Sequence, residues 1–236
     1  LGHSSKALGF TAGFTGEALE NMLKEFGCDT AFIRLPEGST RINVKINAGE
    51  ETEINGQGPA IGEADIKKLY EKLDTLSDGD ILVLAGSIPD VMPGSMYMDI
   101  MKHLQNKDLK IVVDATKDLL VNVLQYHPFL IKPNNHELGE IFGVKIGNKA
   151  DVITYAKKMQ EKGARNVLVS MAGDGAVLVA EDGSIFQSEA PKGKVVNSVG
   201  AGDSMVAGFI AGYLEDGSYG KAFQMGVCTG SASALS

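Results

Sequence analysis

Apolar and polar residues along this chain follow two different periods, and the changes between them mark out its elements. Ala18, Leu19, Met22, Leu23 and Phe26 recur at helical spacing, which predicts a helix over 15–26 closed by Gly27. A strand is predicted before it, over 6–10. In Ile42-Asn43-Val44-Lys45-Ile46 the period is two, with one apolar and one polar face. Short strands over 31–34, 41–47 and 52–55 therefore predict a small antiparallel excursion covering 29–58. From Gly62 onward helical patterns alternate with strand-length runs. Helices are predicted over 62–76, 94–104, 119–123 and 149–162, the last with Asn148 as N-cap. Strands are predicted over 81–85, 110–114, 129–132 and 166–170. A hairpin over 176–180 and 184–187 turns at Asp182-Gly183, and a further helix runs from Gly202 to about Leu214. The runs at 81–85, 110–114 and 166–170 have nearly continuous apolar centres, as strands buried on both faces do. The predicted class is α/β, a parallel-type sheet between helix layers with a small antiparallel β lid. The core is expected to comprise 1–28 and 59–236, and the lid 29–58. Ligands in such sheets bind beyond the carboxyl ends of the strands, so chemistry is sought there.

Composition narrows the function classes. The chain has 236 residues, 44% hydrophobic and 22% charged, which is enough to build a core. A net charge of -8 argues against nucleic acid or an anionic membrane as the main partner. Cys28 and Cys228 form no metal-spaced pair, and no apolar run reaches membrane-spanning length, so a reduced, cytoplasmic protein is expected. The phosphate loop G-x-x-x-x-G-K-[ST], the dinucleotide fingerprint and the G-x-S-x-G elbow are all missing from the sequence. His3, His103, His127 and His136 lack metal-ligand spacing. His136-Glu137 is not the start of H-E-x-x-H, because Glu140 stands at the second histidine position.

Five segments at strand ends carry candidate chemistry. In Asn197-Ser198-Val199-Gly200-Ala201-Gly202-Asp203-Ser204, small residues open a helix, leaving backbone N–H groups and a partial positive charge available to an anion. Asp203 beside such a site can accept a proton from an attacking hydroxyl, or simply cap the helix. Gly208 and Gly212 let this helix pack closely. Lys132-Pro133-Asn134-Asn135-His136-Glu137 reads either as a capping box or as a Mg²⁺-tuning loop beside phosphates. Ser170-Met171-Ala172-Gly173-Asp174-Gly175-Ala176 is a tight turn or a loop that a nucleotide can approach. Arg41, Asn43 and Lys45 share one strand face, suited to a sugar phosphate or to water. Leu84-Ala85-Gly86-Ser87-Ile88-Pro89 is a Ser-x-Pro turn or a substrate loop.

Together these segments resemble the carbohydrate kinase family that includes ribokinase and the bacterial hexose-phosphate kinases, over nearly the whole chain from Gly9. The segments 40–46 and 52–59 resemble the branch acting on fructose 1-phosphate and tagatose 6-phosphate. The resemblance implies ATP and Mg²⁺, and transfer of a phosphoryl group to a ketose phosphate, foremost fructose 1-phosphate to fructose 1,6-bisphosphate. Tagatose 6-phosphate, fructose 6-phosphate, or a non-catalytic sensor on the same fold are the alternatives. It implies Asp203 as base, with Gly200, Ala201 and Gly202 as backbone donors to the transferred group. Lys132, Asn134, Ser170, Gly173, Gly175 and Gly202 fall to the nucleotide. Arg41, Asn43, Ser87 and Asp203 fall to the sugar phosphate. Glu137 and Asn134 fall to Mg²⁺ through water. It further implies a homodimer built through the β lid. Asn197-Ser198 stands where the family has Asp-Thr, and Ala172 where it has the loop's first glycine. The family's N-terminal strand, its glycine-pair motif and its C-terminal helices have no counterpart, so both ends of a longer kinase are expected to be missing.

Overall fold

A computed structural model describes residues 2–47, 51–86, 88–89 and 92–236, so Ser87 lies outside the described residues. The chain divides into two compact units, Gly2–Leu76 with Ile88–Met96, and Ser77–Ser87 with Tyr97–Ser236.

In the first unit, β1 (Lys6–Ala7) pairs in parallel with β3 (Asp29–Thr30), and β2 (Phe10–Ala12) pairs in parallel with β4 (Ile33–Leu35). Helix α1 (Gly13–Glu25) connects the two halves as a crossover, and it ends in a left-handed Gly27. Antiparallel pairing is confined to β5 (Asn43–Asn47) and β6 (Glu51–Asn55), with Val44 opposite Ile54. The expected antiparallel run thus starts later than 29, because β3 and β4 are drawn into parallel pairs by the strands before α1. Helix α2 (Glu63–Leu73) buries Leu69 and Leu73, four residues apart on one face. Glu20 of α1 is buried as well. It accepts a hydrogen bond from Thr11 Oγ1 at 2.9 Å and pairs with the Arg34 guanidinium at 2.8 Å, tying α1 to β2 and β4.

The second unit is built on one six-stranded sheet in the order β12-β11-β10-β9-β8-β7. Here β7 is Ile81–Ala85, β8 Lys110–Asp114, β9 Leu130–Ile131, β10 Asn166–Ser170, β11 Ala176–Val179 and β12 Ile185–Ser188. Strands β7 to β10 are parallel, β11 runs antiparallel to β10 and β12 antiparallel to β11, so the sheet is mixed. Ile111, Val112 and Val113 of β8 and Val167, Leu168 and Val169 of β10 are buried, as their unbroken apolar runs require. Strand β7 departs from that expectation: it lies at the sheet's edge, and Val83 is 42% exposed. The unit's helices are α3 (Met96–His103), which starts one residue before the unit, α4 (Lys117–Val123), α5 (Asn135–Phe142), α6 (Lys149–Glu161), α7 (Ala201–Asp216) and α8 (Tyr219–Leu235). Small residues bring α7 and α8 close: a Cβ on Gly212 would lie 2.9 Å from the backbone of Ala222. Met205, Val206 and Phe209 of α7 and Phe223 and Val227 of α8 share a core with Phe129, Leu130, Leu168 and Leu178 of the sheet. That core fixes the start of α7 near the carboxyl ends of the parallel strands.

Candidate active site

Three strands and two helices deliver the candidate groups of the second unit to one place. Strand β8 ends at Asp114. Lys132 and Asn134 follow β9, and Asn134 forms an isolated parallel bridge with Ser170 at the end of β10. The Ser170 amide donates to the Pro133 carbonyl at 3.2 Å, so the two loops run side by side. Parallel strands in register put these ends together, and the sequence runs there are apolar until the strand stops.

The N-terminus of α7 is open. Gly200 is its N-cap, in left-handed conformation (φ 80°), and no side chain caps the end. Asp203 sits exposed in the first turn, so it is not spent as a cap. The Ala201 amide is engaged, donating to the Ser198 carbonyl at 3.2 Å. Asn197 Oδ1 accepts from the Val199 amide at 3.0 Å, which shapes the approach to the turn, and nothing within 4 Å would meet a Cβ on Gly200. An end of this kind favours an anion by dipole and by backbone N–H.

Behind it lies a buried charge. Lys132 is 7% exposed, and its Nζ sits 3.2 Å from Asp114 Oδ1. A Cβ on Gly202 would come within 3.0 Å of that Nζ. Burial pushes the Asp114 carboxyl above its ordinary range; Lys132 holds it back, and the nearby Asp203 and Glu137 push it further. Asp114 therefore belongs to the same electrostatic neighbourhood as Lys132, Glu137 and Asp203. Sequence reading passed over Asp114; its signal was a lone carboxylate at the carboxyl end of an apolar parallel strand. Tyr97, buried near Asp114, donates to the Ala85 carbonyl at 2.7 Å, and burial pushes its hydroxyl up to about 12.

Asn134 and Glu137 form a full capping box on α5. Asn134 Oδ1 accepts from the Glu137 amide, and Glu137 Oε2 accepts from the Asn134 amide, both at 2.8 Å. The box orients the Glu137 carboxylate and leaves its Oε1 outside the box. Among the described residues no group of three or more His, Cys, Asp or Glu side chains could hold a metal by itself. A lone oriented carboxylate such as Glu137 fits Mg²⁺, which keeps several waters and is usually held by one or two carboxylates together with substrate phosphates.

The loop after β10 is tight. The Met171 amide donates to the Gly175 carbonyl at 2.8 Å, and a short 3₁₀ turn covers Ala172–Asp174. Gly175 has φ 90°, and a Cβ there would run into the Ser188 carbonyl of β12, so only glycine fits. Ala172 has φ 48°, a left-handed conformation that glycine adopts more easily than alanine. Space above Gly173 is open. Arg41 and Asn43 are exposed on the first unit.

The sequence profile of pfkB family carbohydrate kinases matches residues 1–236. The 1-phosphofructokinase of Bacillus subtilis (strain 168) is 48% identical over 233 residues, covering 99% of this chain and 76% of that protein. The D-tagatose-1-phosphate kinase of Bacillus licheniformis is 38% identical over 211 residues, covering 89% and 69%. Among solved structures, the phosphofructokinase-2 of Escherichia coli in complex with fructose-6-phosphate superposes with a TM-score of 0.89 at 28% identity, covering 99% of this chain and 78% of that one. The tetrameric inhibited form of that enzyme gives the same TM-score and identity, with the same coverage. With the open helix end, its carboxylate and the buried lysine in place, these matches show that the chain belongs to the pfkB family of carbohydrate kinases and has its ribokinase-like α/β fold.

Proposed function

We propose that this chain transfers the γ-phosphoryl group of ATP to the 6-hydroxyl of fructose 1-phosphate, giving fructose 1,6-bisphosphate and ADP. One observation carries the reading most: Asp203 stands exposed and uncapped at the helix end that offers an anion site, with the Lys132 ammonium buried beneath that end. The relatives named for ketose 1-phosphates supply the acceptor.

The reaction needs little covalent help from the protein. Phosphoryl transfer rests on placing the acceptor in line and on stabilising charge that spreads over the equatorial oxygens. Asp203 takes the proton from the 6-hydroxyl as its oxygen bonds to the γ-phosphorus and the bond to the β,γ-bridging oxygen breaks. The α7 amides around Gly202 and the Lys132 ammonium meet the developing negative charge. The loop of Ser170, Gly173 and Gly175 takes the nucleotide, its backbone approachable at Gly173. Arg41 and Asn43 take the phosphate already on the sugar, and Ser87 a sugar hydroxyl. Glu137, oriented by Asn134, would hold Mg²⁺ through water, and the ion would there supply neutralisation of the phosphate charge.

The hairpin of β5 and β6 is proposed as a lid that keeps water from the transferred group and as the contact between two copies. Ile42, Val44, Ile46 and Ile54 are all at least 44% exposed, and alternation with the Val44–Ile54 pairing puts them on one face. Such a face with open edges is costly to leave in water. ATP and sugar phosphates are cytoplasmic metabolites, so the protein acts in the cytoplasm. Among the described residues no helix is long and apolar enough to cross a membrane.

The test is ADP release by the purified protein with MgATP and fructose 1-phosphate, tagatose 1-phosphate, tagatose 6-phosphate or fructose 6-phosphate. The proposal expects kcat/KM for fructose 1-phosphate to exceed the others by at least about tenfold. Preference for a tagatose phosphate, which the Bacillus licheniformis relative favours as second reading, would move the acceptor and keep the chemistry.

A further inference from the structure

Lys132 poses a physical problem that its own loop does not solve. Its side chain is 8% exposed, four rotatable bonds lie between backbone and ammonium, and a buried ammonium without an anionic partner is strongly disfavoured. The ammonium nevertheless sits against the first turn of α7, within 3.0 Å of where a Cβ on Gly202 would be. The anionic partner recorded for it is Asp114, at 3.2 Å, on a different strand. The Asp114 backbone is rigid, being in register with Ala85 of β7 and flanked by the buried Val113 and Ala115. Asp114 is itself only 19% exposed. Glu137 is engaged in its cap, and Asp203 faces solvent on the helix above.

We propose that Asp114 is a positioning residue for phosphoryl transfer: it touches neither sugar nor nucleotide, and it holds the Lys132 ammonium under Gly202, where that charge supports the anion site. The pair explains two features at once. A side chain at residue 202 would crowd the ammonium and shift it by a few tenths of an ångström, and a carboxylate stands at the end of β8 because the ammonium needs an anchor on a rigid strand. Carboxylate position, not only charge, then matters. The inference rests on the kinase reading given above.

The test is a double-mutant cycle on the purified protein with Asp114→Asn, Lys132→Met and the double variant. Lys132→Met is expected to lower kcat roughly 100-fold and Asp114→Asn at least about tenfold, the scale of losing one donor to developing charge. The double variant should be no slower than Lys132→Met alone, and the KM for fructose 1-phosphate should stay within about twofold throughout, since the sugar's own phosphate is untouched. A second readout needs no turnover. By calorimetry in chelator without divalent metal, both single variants should lose the preference for ATP over ADP to the same extent. Asp114→Glu keeps the charge and shifts the carboxylate by one methylene, so it should also lose kcat, and it carries the test should Asp114→Asn fail to fold. Multiplying effects in the double variant, an unchanged ATP preference in Asp114→Asn, or wild-type kcat in Asp114→Glu would each overturn the inference. Absence of ATP-dependent phosphorylation by the wild-type protein would instead overturn the kinase reading beneath it.

Discussion

Glu20 and Gly175 show how single residues set the terms here, one through charge and one through the want of a side chain. The Arg34 guanidinium beside Glu20 holds its carboxyl below the ordinary 4.5, helped by the Thr11 hydroxyl and opposed by burial. A carboxyl whose folded pKa is depressed contributes stability that is present above its unfolded value and is lost as pH falls through the folded one. Urea unfolding should therefore show Glu20→Gln less stable than the wild type at pH 7, with the gap narrowing steadily below about pH 4.5. A gap independent of pH would mean that packing, not the ion pair, holds α1. At Gly175 a methyl group meets the Ser188 carbonyl at a left-handed φ of 90°. Gly175→Ala should cost on the order of 2–4 kcal/mol and weaken ATP binding, by combined strain and clash. Thermal unfolding and nucleotide titration measure the two effects separately.

At the scale of elements, apolar runs bounded by glycine or a cap were easy to read. Strands β7, β8 and β10 and helix α6 with its Asn148 cap begin where the pattern places them. Partners were harder, because period says which face is apolar and nothing of which strand lies beside it. Hence β3 and β4 were expected in an antiparallel excursion, and β7 was expected buried on both faces although it lies at the edge. The site shows the same division. Its turn chemistry was legible, since glycines before a helix and Asn-x-x-Glu are local signals, and the capping box at Asn134 and Glu137 is present. Asp114 was not, since its meaning comes from Lys132, just past a strand that is its neighbour only in space. Packing of α7 on α8 is a further element-scale property with a direct test. A Cβ on Gly208 would lie 2.7 Å from the Met225 carbonyl and crowd the Thr229 hydroxyl, whose single proton lies within reach of the Ser204 and Met225 carbonyls. Gly208→Ala should destabilise the protein by about 1–3 kcal/mol, and it should lower kcat more than it raises the KM for fructose 1-phosphate, because α7 carries Asp203 at its start. An unaltered melting temperature would show that the two helices can part without cost.

At the scale of the whole molecule, assembly and chemistry can each be tested. Assembly through the β5–β6 hairpin predicts that Val44→Lys with Ile54→Lys, charges set opposite each other on the exposed apolar face, yields monomers in analytical ultracentrifugation while the melting temperature changes little. An unchanged mass would move the interface elsewhere. The chemistry is tested most directly at Asp203. With fructose 1-phosphate and MgATP, Asp203→Asn should lower kcat by roughly 10²–10⁴, the range for loss of a positioned general base, while the dissociation constant for ATP stays within about twofold of wild type. Near-wild-type kcat in that variant, with ATP still bound, would contradict the account, because the open helix end would then hold the phosphoryl group without its neighbouring carboxylate taking part in the transfer.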